Sequence, residues 1–427
     1  MRTRLISVLA ILLCTFSCPA AAQLRGHGGP VRGLALSADG GELVSASFDA
    51  TAILWSLSTG TAAQVLRFHE GAVNAVAVLR DGRIATSGED GRIAIWRRGE
   101  SQPGDVLSGH SGPVVALAVS PDGTTLASAS WDSSARLWPL AGGPQRVLEG
   151  HRQNVNGLAF SADSQTLVTA GYDATVRIWP LTGAEPPRII TLPAPLNAVI
   201  VGNAGDIVAA AADGKLYFLS PAGELEANLN VAAAPVIALA RSRDGRHIAA
   251  SSIKGAIAII DHDSRRLERT LVGPGLPAWA VIFLADNRSL LTGGSDRVIR
   301  RWNSESGEQL GEVALAAAQD PLAAFTAEPG AEVFRACIAC HTLSARDGPR
   351  AGPTLAGIFG RRIASLPGYD FSPALKKLDI VWTPETLSKL FELGPAAYTP
   401  GSKMPEQRVG DEARADLIAF LSKATKD

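Results

Sequence analysis

Cys337-Ile338-Ala339-Cys340-His341 sets two thiols three positions apart, with an imidazole directly after the second. Thiols at this spacing add across the two vinyl groups of one haem, and the following His then sits under the iron as proximal ligand. Two other chemistries use close cysteine pairs. A thioredoxin-like redox pair needs a βαβ setting, which the surrounding pattern lacks. A zinc site needs a second C-x-x-C or a His pair, and none remains once Cys14 and Cys18 leave with the N-terminal stretch. The predicted cofactor is one covalent haem c, held by Cys337 and Cys340 with His341 on the metal.

The sixth iron ligand is predicted to be Met404. The chain has only two methionines, Met1 and Met404. A lone Met is ordinarily core filler, but this one lies in Tyr398-Thr399-Pro400-Gly401-Ser402-Lys403-Met404-Pro405. Pro and Gly make that loop stiff and extended, which suits presenting one side chain to a metal. Thioether ligation favours the reduced iron and raises its potential.

Helices are expected to carry these residues. Pro329 and Gly330 precede a helical stretch, Ala331 to Arg335. Thr383-Pro384-Glu385 opens a second helix with a cap and a Pro at its first turn. Its apolar positions Leu387, Leu390 and Phe391 recur at helical spacing. A last helix is predicted from about Asp411 to Lys423, with Leu417, Ile418 and Leu421 as its buried stripe.

Residues 328–427 resemble a class I cytochrome c, near the mitochondrial type. The matching pieces are Cys337 to Thr342, Gly352 to Leu355, Phe359-Gly360-Arg361, Pro367-Gly368-Tyr369, Trp382, the Met404 loop and Asp416 to Leu421. The resemblance implies that the Pro353 carbonyl accepts a hydrogen bond from the His341 ring. It also implies that Arg361 and Trp382 lie near a haem propionate, and that Phe334 packs against Leu417 and Phe420. Phe391 and Phe371 stand where the family often has Tyr, so two hydroxyls near the haem are lost and its potential is expected to change. With thirteen Lys/Arg and twelve Asp/Glu in this stretch, the basic docking ring of the mitochondrial type is not evident.

The preceding region repeats itself. Gly26-His27, His69, Gly109-His110 and Gly150-His151 each lead into an alternating apolar stretch. A Gly/Asp turn, a second strand and then Asp49, Asp90, Asp132 or Asp173 follow. Six residues beyond each Asp stands Trp55, Trp96, Trp138 or Trp179. The frame continues, with weaker marks, to Leu219, Ile260 and Trp302, giving a period of 40 to 42 residues. Seven units of short alternating strands at this period predict a β-propeller. The region resembles the WD-repeat family over roughly 290 residues. Its recurring His residues are expected to be structural, while His247 and His262 fall outside the frame and read as surface residues. Either Gln23-Leu24-Arg25 or the stretch from Glu308 to Leu315 could supply the strand that closes the ring.

The fold class is therefore an all-β seven-bladed propeller, 23–315, followed by a linker, 316–327, and a small all-α cytochrome c domain, 328–427. Residues 1–22 have the layout of a secretory signal peptide: Arg2 and Arg4, an apolar run from Leu5 to Phe16, then Ala20-Ala21-Ala22. That run is too short to span a bilayer comfortably, and no later segment looks transmembrane. Cleavage would remove Cys14 and Cys18, leaving no thiol outside the haem motif. A net charge of −1 gives no reason to expect nucleic acid as a partner. The expected protein is periplasmic, not an enzyme, and passes single electrons between a donor and an acceptor redox protein, with the propeller as docking module. The alternative is a propeller-based oxidoreductase whose haem c is the electron outlet, an analogy at the level of fold.

Overall fold

The computed structural model describes residues 23–310 apart from 184 and 274, then 322, 325 and 327–426 apart from 336, 339, 346–348, 405 and 406. Residues 1–22, expected to be a signal peptide, and most of the expected linker lie outside the described residues. So does Pro405 of the Met404 loop.

Among the described residues, twenty-eight strands form seven four-stranded antiparallel sheets. The first sheet orders β2 (Val31–Leu36), β3 (Glu42–Ser47), β4 (Thr51–Ser56) and β5 (Thr61–Arg67) from inside outward. The next five blades repeat this order, ending with β25 (Arg266–Val272). The seventh contains β26 (Ala278–Phe283), β27 (Ser289–Gly294) and β28 (Val298–Asn303), and takes β1 (Gln23–Arg25) as its outer strand. The described start of the other candidate, Glu308 to Leu310, also meets β28, while 311–315 lie outside the described residues. Gln23 to Arg25 pair with Arg300 to Val298, while Gln309 bridges Trp302 and Leu310 N donates to Arg301 O.

The predicted repeat frame survives where its marks fade. Each closing position, on the third strand of its blade, faces an aliphatic partner on the second: Leu43–Trp55 in blade one, Ile207–Leu219 in blade five, Ile248–Ile260 in blade six. The innermost strand of every blade carries a register shift at the same place, from Val31/Gly33 to Ala278/Ala280. Burial explains the ring. A single four-stranded sheet cannot cover both faces, so the apolar clusters form between blades. Val44, Ala46 and Leu66 of blade one pack with Val73, Ile84 and Trp96 of blade two. The last such cluster joins Leu291 and Ile299 to Val31 and Trp55, which closes the circle.

In blades one to four the repeating His is structural, as expected. In blade one, Trp55 Nε1–H donates to Ser45 Oγ (2.7 Å), which lies 2.7 Å from His27 Nε2; His27 Nδ1 is 3.0 Å from Asp49. Ser or Thr has a single hydroxyl proton. Having accepted from Trp, it donates to Nε2, so Nδ1 carries the imidazole proton toward Asp. A neutral ring suffices, and burial lowers the pKa of both His110 and His151. His247 and His262 differ from their prediction. Neither is freely exposed: His247 Nε2 lies 3.4 Å from Glu268, and His262 bridges Asp206 (2.8 Å) and Asp263 (2.9 Å). Acidic residues on neighbouring strands and turns, invisible to the repeat frame, hold them down.

Among the described residues the C-terminal domain has five helices: α1 (Pro329–Phe334), α2 (Pro373–Lys376), α3 (Pro384–Leu393), α4 (Pro395–Tyr398) and α5 (Asp411–Ala424). Thr383 caps α3 in a capping box with Thr386. Helices α1 and α5 cross closely. A Cβ at Gly330 would fall 2.1 Å from Asp416 O, so only Gly allows the approach. Leu322 and Phe325 correct the linker boundary. Leu322 is buried in this domain's core, and the Phe325 ring packs edge-on to Phe420 at 5.2 Å. Their spacing in an Ala-rich stretch carries no periodicity, so sequence alone could not assign them. Among the described residues, no helix is long and apolar enough to cross a membrane.

Candidate haem centre

A tight turn follows α1. Cys337 N donates to Phe334 O (2.7 Å), while Cys340 N and His341 N both donate to Cys337 O (3.0 Å each). His341 Nδ1 lies 2.8 Å from Pro353 O. A carbonyl only accepts, so Nδ1 holds the proton and Nε2 keeps its lone pair. Burial lowers the His341 pKa, which maintains the neutral, ligating form. Gly352 N to Cys340 O (2.8 Å) and Leu355 N to Thr342 O (2.8 Å) tie the Pro353 strand to the motif and set the ring's orientation.

The thiols are not poised for disulfide exchange. Burial pushes Cys337 up to about 11, and burial with the charge of Asp49 pushes Cys340 up to about 12. Reactive dithiols have lowered values, so this environment does not favour the thioredoxin-like alternative.

One cavity of about 470 Å³ adjoins these groups. Its lining brings together all seven residues singled out from sequence: Cys337, Cys340, His341, Pro353, Arg361, Trp382 and Met404. Helix α3 contributes Leu387, Leu390 and Phe391 as apolar wall. Met404 is carried by a folded loop in which Ser402 N donates to Thr399 O (3.0 Å) and Met404 N to Ser402 Oγ (3.1 Å). Arg361 donates to Thr354 O (2.8 Å) and Ala356 O (3.1 Å), and its own carbonyl accepts from Trp382 N (2.9 Å). The lining suits a haem: apolar walls, a neutral imidazole with a lone pair, a thioether and two uncharged thiols.

Phe371 and Phe391 both line the cavity without a hydroxyl. Tyr369 supplies one nearby, donating to Ala351 O at 2.7 Å. Sequence reasoning missed a further part of the lining. Asp49, Thr51, Arg67, Phe68, Glu70 and Gln102, all from the propeller, also face the cavity. The repeat pattern marks only Asp49 among them, and as a turn residue, because contact between domains leaves no periodic trace.

Comparison with known proteins agrees with this geometry. The cytochrome c family model matches residues 327–425. Cytochrome c of Cochliobolus lunatus is 41% identical over 102 residues, which cover 94% of that protein and 23% of this chain. Cytochrome c of Arabidopsis thaliana is 41% identical over 102 residues, covering 90% of it and 23% of this chain. Cytochrome c2 of Blastochloris viridis is 37% identical over 114 residues, covering 89% of it and 26% of this chain. The chain belongs to the cytochrome c family. Its cytochrome c domain binds haem and serves electron transfer. The model for the WD domain, G-beta repeat, matches residues 19–56, 60–97, 101–139, 142–180 and 265–303. The unmatched interval holds blades five and six, where Leu219 and Ile260 replace the closing Trp.

Proposed function

We propose that this is an exported, single-haem c-type cytochrome that passes single electrons between periplasmic redox proteins, with its propeller serving as a docking module. The observation that carries the reading is the convergence of Cys337, Cys340, His341 and Met404 on one apolar cavity. Haem, when bound, supplies an iron that gains or loses one electron. The chain's own residues do the rest. Cys337 and Cys340 would attach the group, and His341, oriented by Pro353 O, would hold the iron with Met404. The apolar wall from α3 would keep water away and favour the less charged, reduced state. Export is supported by the signal-like layout of residues 1–22.

Purified protein tests this reading. Denaturing electrophoresis stained for haem, with iron analysis, is expected to give covalent haem at one iron per chain. A second metal or redox cofactor would bring the propeller-based oxidoreductase forward instead. Capture of the tagged protein from native periplasm with its haem intact is expected to recover a redox protein. Failure to recover one under gentle conditions would count against the docking role.

A further inference from the structure

The propeller does not merely precede the cytochrome; its first blade forms part of the haem pocket. Gly28, in the loop entering blade one, lies against the cytochrome motif. A Cβ placed there would come within 2.1 Å of Cys340 Sγ. Beside it, Ala351 N donates to Gly26 O at 3.2 Å. Arg67, at the end of β5, stacks its guanidinium 4.2 Å from the Tyr369 ring centroid. Its Nε and Nη2 donate to Ala351 O (3.3 and 3.1 Å), and Nη2 also reaches Arg350 O. Tyr369 donates to the same Ala351 carbonyl, so three donors from two domains meet on one acceptor. Lys403, next to Met404, donates to His69 O, and Gln102 donates to Asp370 at 2.8 Å.

These contacts fall on segments next to the haem motif, the Pro353 strand and the Met404 loop. We propose that the rim of blades one and two is a resident wall of the haem pocket, and that Arg67 is its positioning residue. Arg67 acts through Tyr369 and the 350–351 carbonyls and does not ligate the haem. A planar guanidinium suits the task because it stacks and donates in two directions at once, which an ammonium cannot do. The wall excludes water from the Cys340 side of the pocket and so raises the potential. It also occupies this rim, so an electron-transfer partner of the full chain must approach by another surface. The inference rests on the haem reading above.

Full-length Arg67→Ala, Gly28→Leu and Arg67→Lys are compared with the unaltered protein. Two properties are read: the haem midpoint potential, and the rate at which ascorbate, giving one electron, reduces ferric haem. In the Ala and Leu variants the potential is expected to fall and the reduction to speed up several-fold. The Lys variant is expected to lie between. Absence of a covalent haem band in the unaltered protein would refute the haem reading. Haem present, with both variants folded by circular dichroism and neither property moved, would overturn the wall. Should the variants fail to fold, hydrogen exchange in the unaltered protein decides. The peptide containing Ala351 is expected to exchange as slowly as propeller strands, and fast exchange would overturn the inference.

Discussion

The rings of Phe334 and Phe420 lie 5.6 Å apart between centroids, at the crossing of the first and last helices of the cytochrome c domain. Both side chains are at most 1% exposed. Phe334 is also the residue from which the haem-motif turn departs. Phe334→Ala would leave a cavity in a site closed by the Gly330 contact, where little collapse is possible. The expected loss is about 3–5 kcal/mol. Denaturant melting followed at the haem absorption band measures it. An unchanged midpoint would show that this crossing does not anchor the domain.

Met404 carries the second prediction. If its thioether fills the sixth position, the ferrous spectrum of the unaltered protein does not respond to carbon monoxide. Met404→Ala would open the position, so its ferrous spectrum shifts with carbon monoxide and its potential drops. A shift already present in the unaltered protein would mean that Met404 is not a firm ligand, and would favour catalysis or sensing over carriage.

The His–hydroxyl–Trp chains make a third. In blade four, Thr169 Oγ1 lies 2.9 Å from Trp179 Nε1 and 2.8 Å from His151 Nε2. Thr169→Val keeps the shape but strands a buried donor and a buried acceptor. The cost is about 1–3 kcal/mol for each stranded group. Thermal unfolding by far-ultraviolet circular dichroism would register it in the propeller transition. A variant as stable as the parent would show that these chains do not hold the blade.

Acid should weaken the same blades in two windows. His110 and His151 have folded pKa values lowered by burial, despite the opposing pull of Asp132 and Asp173. The unfolded chain therefore takes up protons first, and stability falls as pH drops below about 6.5 toward the folded values. Asp132 and Asp173 are also lowered. Burial acts against this, but hydrogen bonds and the His partners outweigh it. Their contribution disappears as pH falls below about 3.9. Melting temperature measured from pH 8 to pH 3 checks both windows. A flat profile between pH 7 and 5 would refute the histidine part.

The tight turn after the third strand's partner offers a stabilising change. The residue following the turn Asp adopts a left-handed backbone: Ala50, Gly91, Ser133, Ala174, Gly214 and Arg297 have φ between 60° and 84°. Gly stands there in some blades, but blade four uses Ala174 at φ 60°. An L side chain in this region costs about 1–2 kcal/mol, partly offset by the greater unfolded-state entropy of Gly. Ala174→Gly is expected to raise stability by about 0.5–1 kcal/mol. Destabilisation in a melting experiment would show that packing of the Ala174 methyl outweighs the backbone relief.

The haem motif, the helix caps and the blade period were legible because each is local. Cys337 to His341 occupy five adjacent positions, Thr383 caps the helix it opens, and the closing residues recur every 40 to 42 positions. Met404 was legible too, because a mature chain expected to hold one methionine, in a stiff Pro/Gly loop, leaves little choice. Other features depend on residues distant in sequence meeting in space. Ring closure needed Gln23 to Arg25 beside Val298 to Arg300, and both termini of the propeller had comparable claims on that edge. Phe325 joined the cytochrome core because α5 presents Phe420 to it, and Leu322 is buried in the same cluster. Arg67 reads in sequence as an exposed charge at a strand end, yet lies over Tyr369 some three hundred positions onward. The sequence by itself determined the chemistry and the repeating scaffold, which local patterns encode. Only the tertiary structure decided how the ring closes and which propeller residues wall the haem pocket, because those contacts are chosen by shape and burial between segments that share no pattern.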